Sequence, residues 1–253
     1  MTYNFDEIID RRNTNSENVE GWRPYIFHCG PERVFPYKDE EFIRMWVADM
    51  EFAVAPEILQ AITDRVDRRI LGYTLVYDKG YYEALCAWCE SRYGWSFPKE
   101  QLTFSPGVIP ALYQLTEDLV KPLNGKVLTM TPAYGFFLHA CEYNGVELVT
   151  SPLREENGRF SVDWEDFETK AADPDVKLLM LCNPHNPTGR IWTEEELRHM
   201  AAIIEKHRLW VVSDEIHCDL IRTGLRHTPL GKIMPDYDLS LIHISEPTRQ
   251  AEI

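Results

Sequence analysis

Val176-Lys177-Leu178-Leu179-Met180-Leu181-Cys182 runs into Asn183-Pro184-His185-Asn186-Pro187-Thr188-Gly189, and about one β-α unit later Trp210-Val211-Val212-Ser213 runs into Asp214-Glu215-Ile216-His217. The first apolar run suits a strand buried on both faces. Two asparagines and two prolines then fix a rigid polar turn at its end. Loops so placed are commonly there to build a site. Asp214 ends the second apolar run, and a carboxylate buried there needs a partner. A protonated ring nitrogen would serve; so would a helix N-cap role or a buried salt bridge.

Outward from this pair, helix and strand patterns alternate. Ile58, Leu59, Ile62, Val66 and Ile70 fall on one helical face, and residues 78–94 read as an aromatic-rich helix. Leu102-Thr103-Phe104 reads as a short strand, residues 108–120 as a helix and Lys126-Val127-Leu128-Thr129-Met130 as a strand. A helix near 134–144, a strand at Val146-Glu147-Leu148-Val149 and a helix near 163–172 follow. Thr193 with Glu196 forms a capping box that opens a helix to about His207. Strands separated by helices of this length imply βαβ units and an α/β domain with a mostly parallel sheet. Residues 1–45 are polar, aromatic and weakly periodic, and read as an arm or part of a smaller domain.

The chain has 253 residues, 44% hydrophobic, so a sizeable core forms without disulfides. A net charge of -15 argues against nucleic acid or an anionic membrane as partner. No segment is long and apolar enough to span a bilayer, and the acidic start Met1-Thr2-Tyr3-Asn4-Phe5-Asp6-Glu7 lacks a signal core. The expected location is the cytoplasm, with reduced thiols. Cys86 and Cys89 form a CxxC, open to a redox or metal reading, but it lies in a helix-like stretch without a second pair. No metal site is expected.

Ligands of open α/β sheets bind beyond the carboxyl ends of the strands. Ser105-Pro106-Gly107-Val108-Ile109 leads into a helix whose free N–H groups suit a phosphate, though a plain turn explains it nearly as well. Tyr134, in Thr131-Pro132-Ala133-Tyr134-Gly135, could stack on a flat ring or be an ordinary core aromatic.

Taken together, Phe5-Asp6 with Arg11 and Asn13-Thr14-Asn15-Ser16, Trp46-Val47-Ala48-Asp49-Met50-Glu51-Phe52, Gly72-Tyr73-Thr74, Thr131-Pro132-Ala133-Tyr134, residues 183–189 and Ser213-Asp214-Glu215-Ile216-His217 resemble one family. It is the fold-type I pyridoxal 5′-phosphate (PLP) enzymes of the aminotransferase class I/II superfamily, in the cystathionine β-lyase-like branch of MalY/PatB type. The resemblance covers about residues 3–238. It implies an incomplete aspartate aminotransferase-like large domain at 46–238, with 1–45 as arm and part of the small domain. It implies that Asp214 pairs with the pyridine N–H and Asn186 with the ring 3-oxygen, while Tyr134 stacks on the ring. Backbone N–H groups of Gly107, Val108 and Ile109 would bind the phosphate, and Tyr73 would reach a partner subunit's phosphate in a homodimer. Asp49 would lie near the substrate entrance, and His217 would be a supporting residue. The implied activity is β-elimination from cystathionine or a cysteine S-conjugate, giving thiol, pyruvate and ammonia. An aminotransferase and a non-catalytic PLP-binding regulatory protein are the alternatives.

The chain departs from the family pattern after Asp214. The family's Schiff-base lysine follows a serine some dozens of residues on; here the only later lysine is Lys232, in Leu230-Gly231-Lys232-Ile233, which reads as a solvated loop lysine. Residues 239–249, Leu-Ser-Leu-Ile-His-Ile-Ser-Glu-Pro-Thr-Arg, resemble the translation of a transposase-type sequencing adapter, so 239–253 is expected to be a non-native tail. Its Leu241, Ile242 and Ile244 could still fill a vacant strand position. Resequencing the locus with a different library chemistry is expected to replace the codons for 241–253; recovering them unchanged would exclude the adapter origin.

Overall fold

The computed structural model describes residues 3–75, 78–237 and 241–244. It divides into two compact units, Met1–Thr74 and Leu75–Ile253.

The first unit holds the helices α1 (Glu17–Glu20), α2 (Trp22–Ile26) and α3 (Pro56–Val66). Its order comes from aromatic packing. Trp22 meets Phe42 with ring centroids 4.9 Å apart, and Phe27 meets Phe35 at 4.9 Å. The Arg23 guanidinium lies 4.4 Å from the Trp22 ring centre, a cation–π contact that covers the cluster. Arg11 pairs with Asp49, whose other oxygen accepts from Asn18 Nδ2 at 2.6 Å. Pro56 starts α3 where its missing N–H costs nothing. The helix stops at Val66, and Arg69 has a positive φ of 60°, so Ile70 lies beyond the expected helical face. Ile58, Leu59, Ile62 and Val66 do share that face, each about half exposed.

The second unit is built on a parallel sheet. Its strands are β1 (Lys126–Thr131), β2 (Glu147–Pro152), β5 (Val176–Cys182), β6 (Trp210–Asp214) and β7 (Leu241–Ile244), in the order β2-β1-β5-β6-β7. A separate antiparallel hairpin pairs β3 (Arg154–Glu156) with β4 (Arg159–Ser161). Its loop is Asn157-Gly158, both at positive φ (53° and 74°), the two-residue turn that matches strand twist. The helices are α4 (Lys79–Tyr93), α5 (Val108–Leu115), α6 (Gly135–Asn144), α7 (Trp164–Ala171), α8 (Glu194–His207) and α9 (Leu230–Ile233). α5 is continued by a π turn (Thr116–Val120) and a 3-10 turn (Lys121–Leu123).

The structure differs from the sequence expectation at two further places. Leu102-Thr103-Phe104 is not a strand: it leaves a 3-10 turn at Lys99–Gln101 between Pro98 and Pro106, and no strand among the described residues pairs with it. Lys232 stands in α9 and not in a loop; it is exposed to solvent, as expected, and donates from Nζ to the Tyr93 carbonyl at the end of α4, 2.8 Å away. Cys86 and Cys89 both lie on α4, and all six cysteines are free thiols. Of the tail, β7 pairs in parallel with β6 from Val211↔Leu241 to Asp214↔Ile244, where an apolar run was expected to fit. Residues 238–240 and 245–253 lie outside the described residues.

Alternation along the strands divides the core in two. Leu128, Met130, Leu179, Leu181 and Val211 pack with Phe167 of α7 and with Leu197, Met200 and Ile204 of α8. Val127, Leu178, Met180, Cys182 and Val212 pack with Val108 and Leu112 of α5 and Phe137 and Ala140 of α6. The sheet is thus covered on both faces, and the ends of its strands are where polar chemistry can concentrate. Phe167 is fully buried. Phe167→Ala is expected to destabilise this unit by about 3–5 kcal/mol, read as a lower urea midpoint with unchanged slope.

Candidate functional site

Chain order reverses direction across the sheet at β1. From β1 the chain moves outward to β2, then returns to place β5 on the other side of β1. Such a switch point opens a crevice at the carboxyl ends of the two strands. Tyr134 follows β1, residues 183–189 follow β5, and Asp214 ends the neighbouring β6. Three of the positions singled out from sequence therefore share one edge. Val108, at the start of α5, packs in the cluster that also holds Cys182 and Val212.

Each group is held by local bonds. Asp214 is 2% exposed, and its Oδ1 accepts the N–H of Ile216 at 3.2 Å. The expected alternative of a helix N-cap gives way to this turn bond, since residues 216–219 form a turn and no α-helix. Its carbonyl accepts from Asn183 N at 2.8 Å, which locks the end of β6 to the end of β5. Asn186 is partly buried, and its N–H donates to Cys182 Sγ at 3.4 Å. Burial, helped by the nearby Asp214 carboxylate, pushes the Cys182 thiol up to about 12, so it stays protonated and serves as packing. Tyr134 caps α6, with its ring 5.3 Å from Phe136 and 6.2 Å from Phe137. Gly107 is extended and precedes the first turn of α5; Val108 and Ile109 supply N–H groups there, and Pro110 none. Tyr73 and Asp49 both stand on the first unit, Tyr73 fully exposed and Asp49 partly buried. His217 lies in the turn after Asp214, its carbonyl accepting from Leu220 N at 2.9 Å.

The donor set suits a flat anionic ligand with a cationic ring N–H. A buried carboxylate and a polar turn whose Asn183 Oδ1 has no partner among the described residues share one edge, and the start of α5 offers further N–H groups.

Sequence reasoning missed Glu215 and His227. Glu215 is completely buried and accepts from Ser213 Oγ (2.7 Å), Leu230 N (2.9 Å) and His227 Nε2 (2.6 Å). His227 is distant in sequence and follows no motif; the adjacent acid of the Asp214-Glu215 pair was the one available signal.

The turn 183–189 is braced from below. His185 N donates to Arg190 O and Gly189 N to His185 O, at 2.8 and 2.7 Å. His185 Nδ1 meets Thr188 Oγ1 at 2.8 Å, and Trp192 Nε1 donates to Cys182 O at 2.8 Å. Burial, with the Arg190 charge second, pushes the His185 imidazole down to about 4. The fold thus favours neutral His185. Its contribution is complete above the unfolded value of about 6.5 and is lost as pH falls from there towards about 4, a span worth on the order of 3 kcal/mol. His185→Asn is expected to flatten the fall in stability between neutral pH and about pH 5, checked by urea unfolding at both.

The model for the family "Aminotransferase class I and II" matches residues 40–244. Cystathionine beta-lyase PatB of Bacillus subtilis (strain 168) is 42% identical over 198 residues, covering 78% of this chain and 51% of PatB. Protein MalY of Escherichia coli (strain K12) is 28% identical over 231 residues, covering 91% of this chain and 56% of MalY. The chain thus spans about half the length of these curated relatives. The crystal structure of the PLP-bound C-S lyase from Staphylococcus hominis superposes with a TM-score of 0.86 at 44% identity, covering 96% of this chain and 58% of that one. A parallel sheet with its switch point at β1, a polar turn after β5 and a carboxylate ending β6 are thus the local features of a member of the aminotransferase class I and II family, to which this chain belongs.

Proposed function

We propose that this chain carries the cofactor-holding part of a PLP-dependent carbon–sulfur β-lyase acting on cystathionine or another cysteine S-conjugate. The observation that supports it most is the convergence of Tyr134, Asn186 and Asp214 on one sheet edge, in a chain similar to cystathionine β-lyases and a PLP-bound C–S lyase.

Bound there, PLP supplies an electron sink for charge developing beside the substrate's amino group. Asp214 would hold the proton on the ring nitrogen, and its burial makes that pairing stronger than in water. Asn186 would donate to the ring 3-oxygen, and Tyr134 would cover a ring face. The N–H groups of Gly107, Val108 and Ile109, with the α5 dipole behind them, would hold the phosphate. Tyr73, exposed on its own unit, would meet a second subunit's phosphate in a homodimer. Six free thiols favour a reducing compartment such as the cytoplasm. No helix among the described residues is long and apolar enough to cross a membrane.

A transaminase would use the same cofactor contacts. Product analysis on a version extended to the relatives' length separates the two: pyruvate and ammonia from cystathionine mean lyase, and a keto-acid-dependent amino product means transaminase.

The chain as written is expected to bind PLP non-covalently and to release no pyruvate from cystathionine, because its one lysine after Asp214 is engaged with α4. Asp214→Ala is expected to weaken binding about tenfold or more by removing a buried charged partner, read by PLP absorbance titration. Borohydride treatment followed by peptide mapping should leave Lys232 unlabelled. Specific labelling there, with pyruvate release, would overturn the assignment.

A further inference from the structure

Asp214 and Glu215 are adjacent carboxylates that do different things. Successive side chains of extended backbone point to opposite sides, and residues two apart share a side. Ser213 and Glu215 accordingly bond to each other, 2.7 Å from Oγ to Oε1, while Asp214 is turned away from them. Glu215 Oε1 also accepts from Leu230 N at 2.9 Å, and Oε2 meets His227 Nε2 at 2.6 Å. Both side chains of the Glu215–His227 pair are completely buried. The Tyr93 ring lies against the imidazole at a centroid separation of 5.3 Å.

A second anchor holds the same segment. Asn183 Nδ2 donates to Thr228 O at 3.0 Å, and Asn183 N donates to Asp214 O at 2.8 Å. Residues 227–230 are therefore tied both to the end of β5 and to the residue after β6. Asp214 gains its fixed position from this arrangement. Its carbonyl is pinned by Asn183, its Oδ1 is bonded to Ile216 N, and Ile216 directly follows the clamped Glu215.

We infer that Glu215, braced by His227, is a positioning residue for Asp214. Its carboxylate does not itself touch the cofactor; it fixes the backbone from which the Asp214 carboxylate is aimed. Resting on the cofactor reading above, this adds a device that no motif role had assigned. Without the carboxylate, the Ser213 hydroxyl, the Leu230 N–H and the His227 ring lose a buried partner. Such groups relax towards new ones, and the 214–216 turn, which carries residue 215 itself, shifts with them.

The experiment uses the full chain and PLP labelled with 15N at the ring nitrogen. The parent is compared with Glu215→Ala, Glu215→Gln, Ser213→Ala and Phe167→Ala. Glu215→Ala is expected to lose PLP affinity about tenfold or more, and the ring 15N resonance of its complex to move towards the unprotonated position. Glu215→Gln should recover most of both, because its amide oxygen can still accept from Ser213 and Leu230. Phe167→Ala, which removes core packing but none of the Glu215 hydrogen bonds, should lower the melting temperature and leave the resonance in place. If Glu215→Ala keeps the parent's resonance and affinity, the inference is overturned and the cofactor reading stands. If Glu215→Ala does not fold, Ser213→Ala decides: a smaller shift in the same direction supports positioning, and an unchanged resonance overturns it. Failure of the parent itself to bind labelled PLP overturns the cofactor reading, and the inference with it.

Discussion

A parallel sheet covered on both faces by helices leaves little room for polar side chains except where its strands end. Everything distinctive in this chain follows from that constraint. β5 is apolar almost from end to end, and its neighbours β1 and β6 are buried alongside it. The polar residues that chemistry requires are therefore displaced to the edge: Tyr134, the 183–189 turn and Asp214. Because β1, β5 and β6 are hydrogen-bonded neighbours, the displacement gathers them in one place.

That edge is maintained by layers of bonds beneath it. Below the 183–189 turn lie His185, Cys182 and Trp192, with an indole N–H meeting the last carbonyl of β5. Behind Asp214 lie Glu215, His227 and the segment that leads to α9. Buried polar networks of this kind are expensive when incomplete and rigid when satisfied. Here they give a short carboxylate and a short amide fixed directions in a region built from loops.

Much of this was legible in the sequence, for identifiable reasons. β5, β6 and α8 announce themselves through unbroken apolar runs and the Thr193–Glu196 box, which needs only local information. The positions expected to build the site stand at the ends of these strands and so were located with them. What escaped depended on long-range pairing or on turn chemistry. Leu102-Thr103-Phe104 has strand-like composition, yet composition cannot supply a neighbour, and none among the described residues pairs with it. The β3–β4 hairpin carried a clear Asn157-Gly158 signal flanked by charged residues, so no apolar alternation drew attention to it. His227 acquires its meaning only from Glu215, twelve positions earlier.

Glu196 joins two of these layers. Its Oε2 accepts from the Thr193 N–H and hydroxyl at 2.9 and 3.1 Å, closing the start of α8. The same carboxylate holds Arg190 through both oxygens at 2.6 Å, and Arg190 stacks on Trp192 at 4.0 Å while following directly on Gly189. One side chain thus serves a helix cap and the base of the polar turn. Substitutions at Thr193, Glu196 and Arg190 cannot be scored one by one: each changes what the other two are worth, and their combined effects depart from the sum. Along the descent of this chain, the three positions would have been constrained to drift as a group, with epistasis set by a single shared carboxylate.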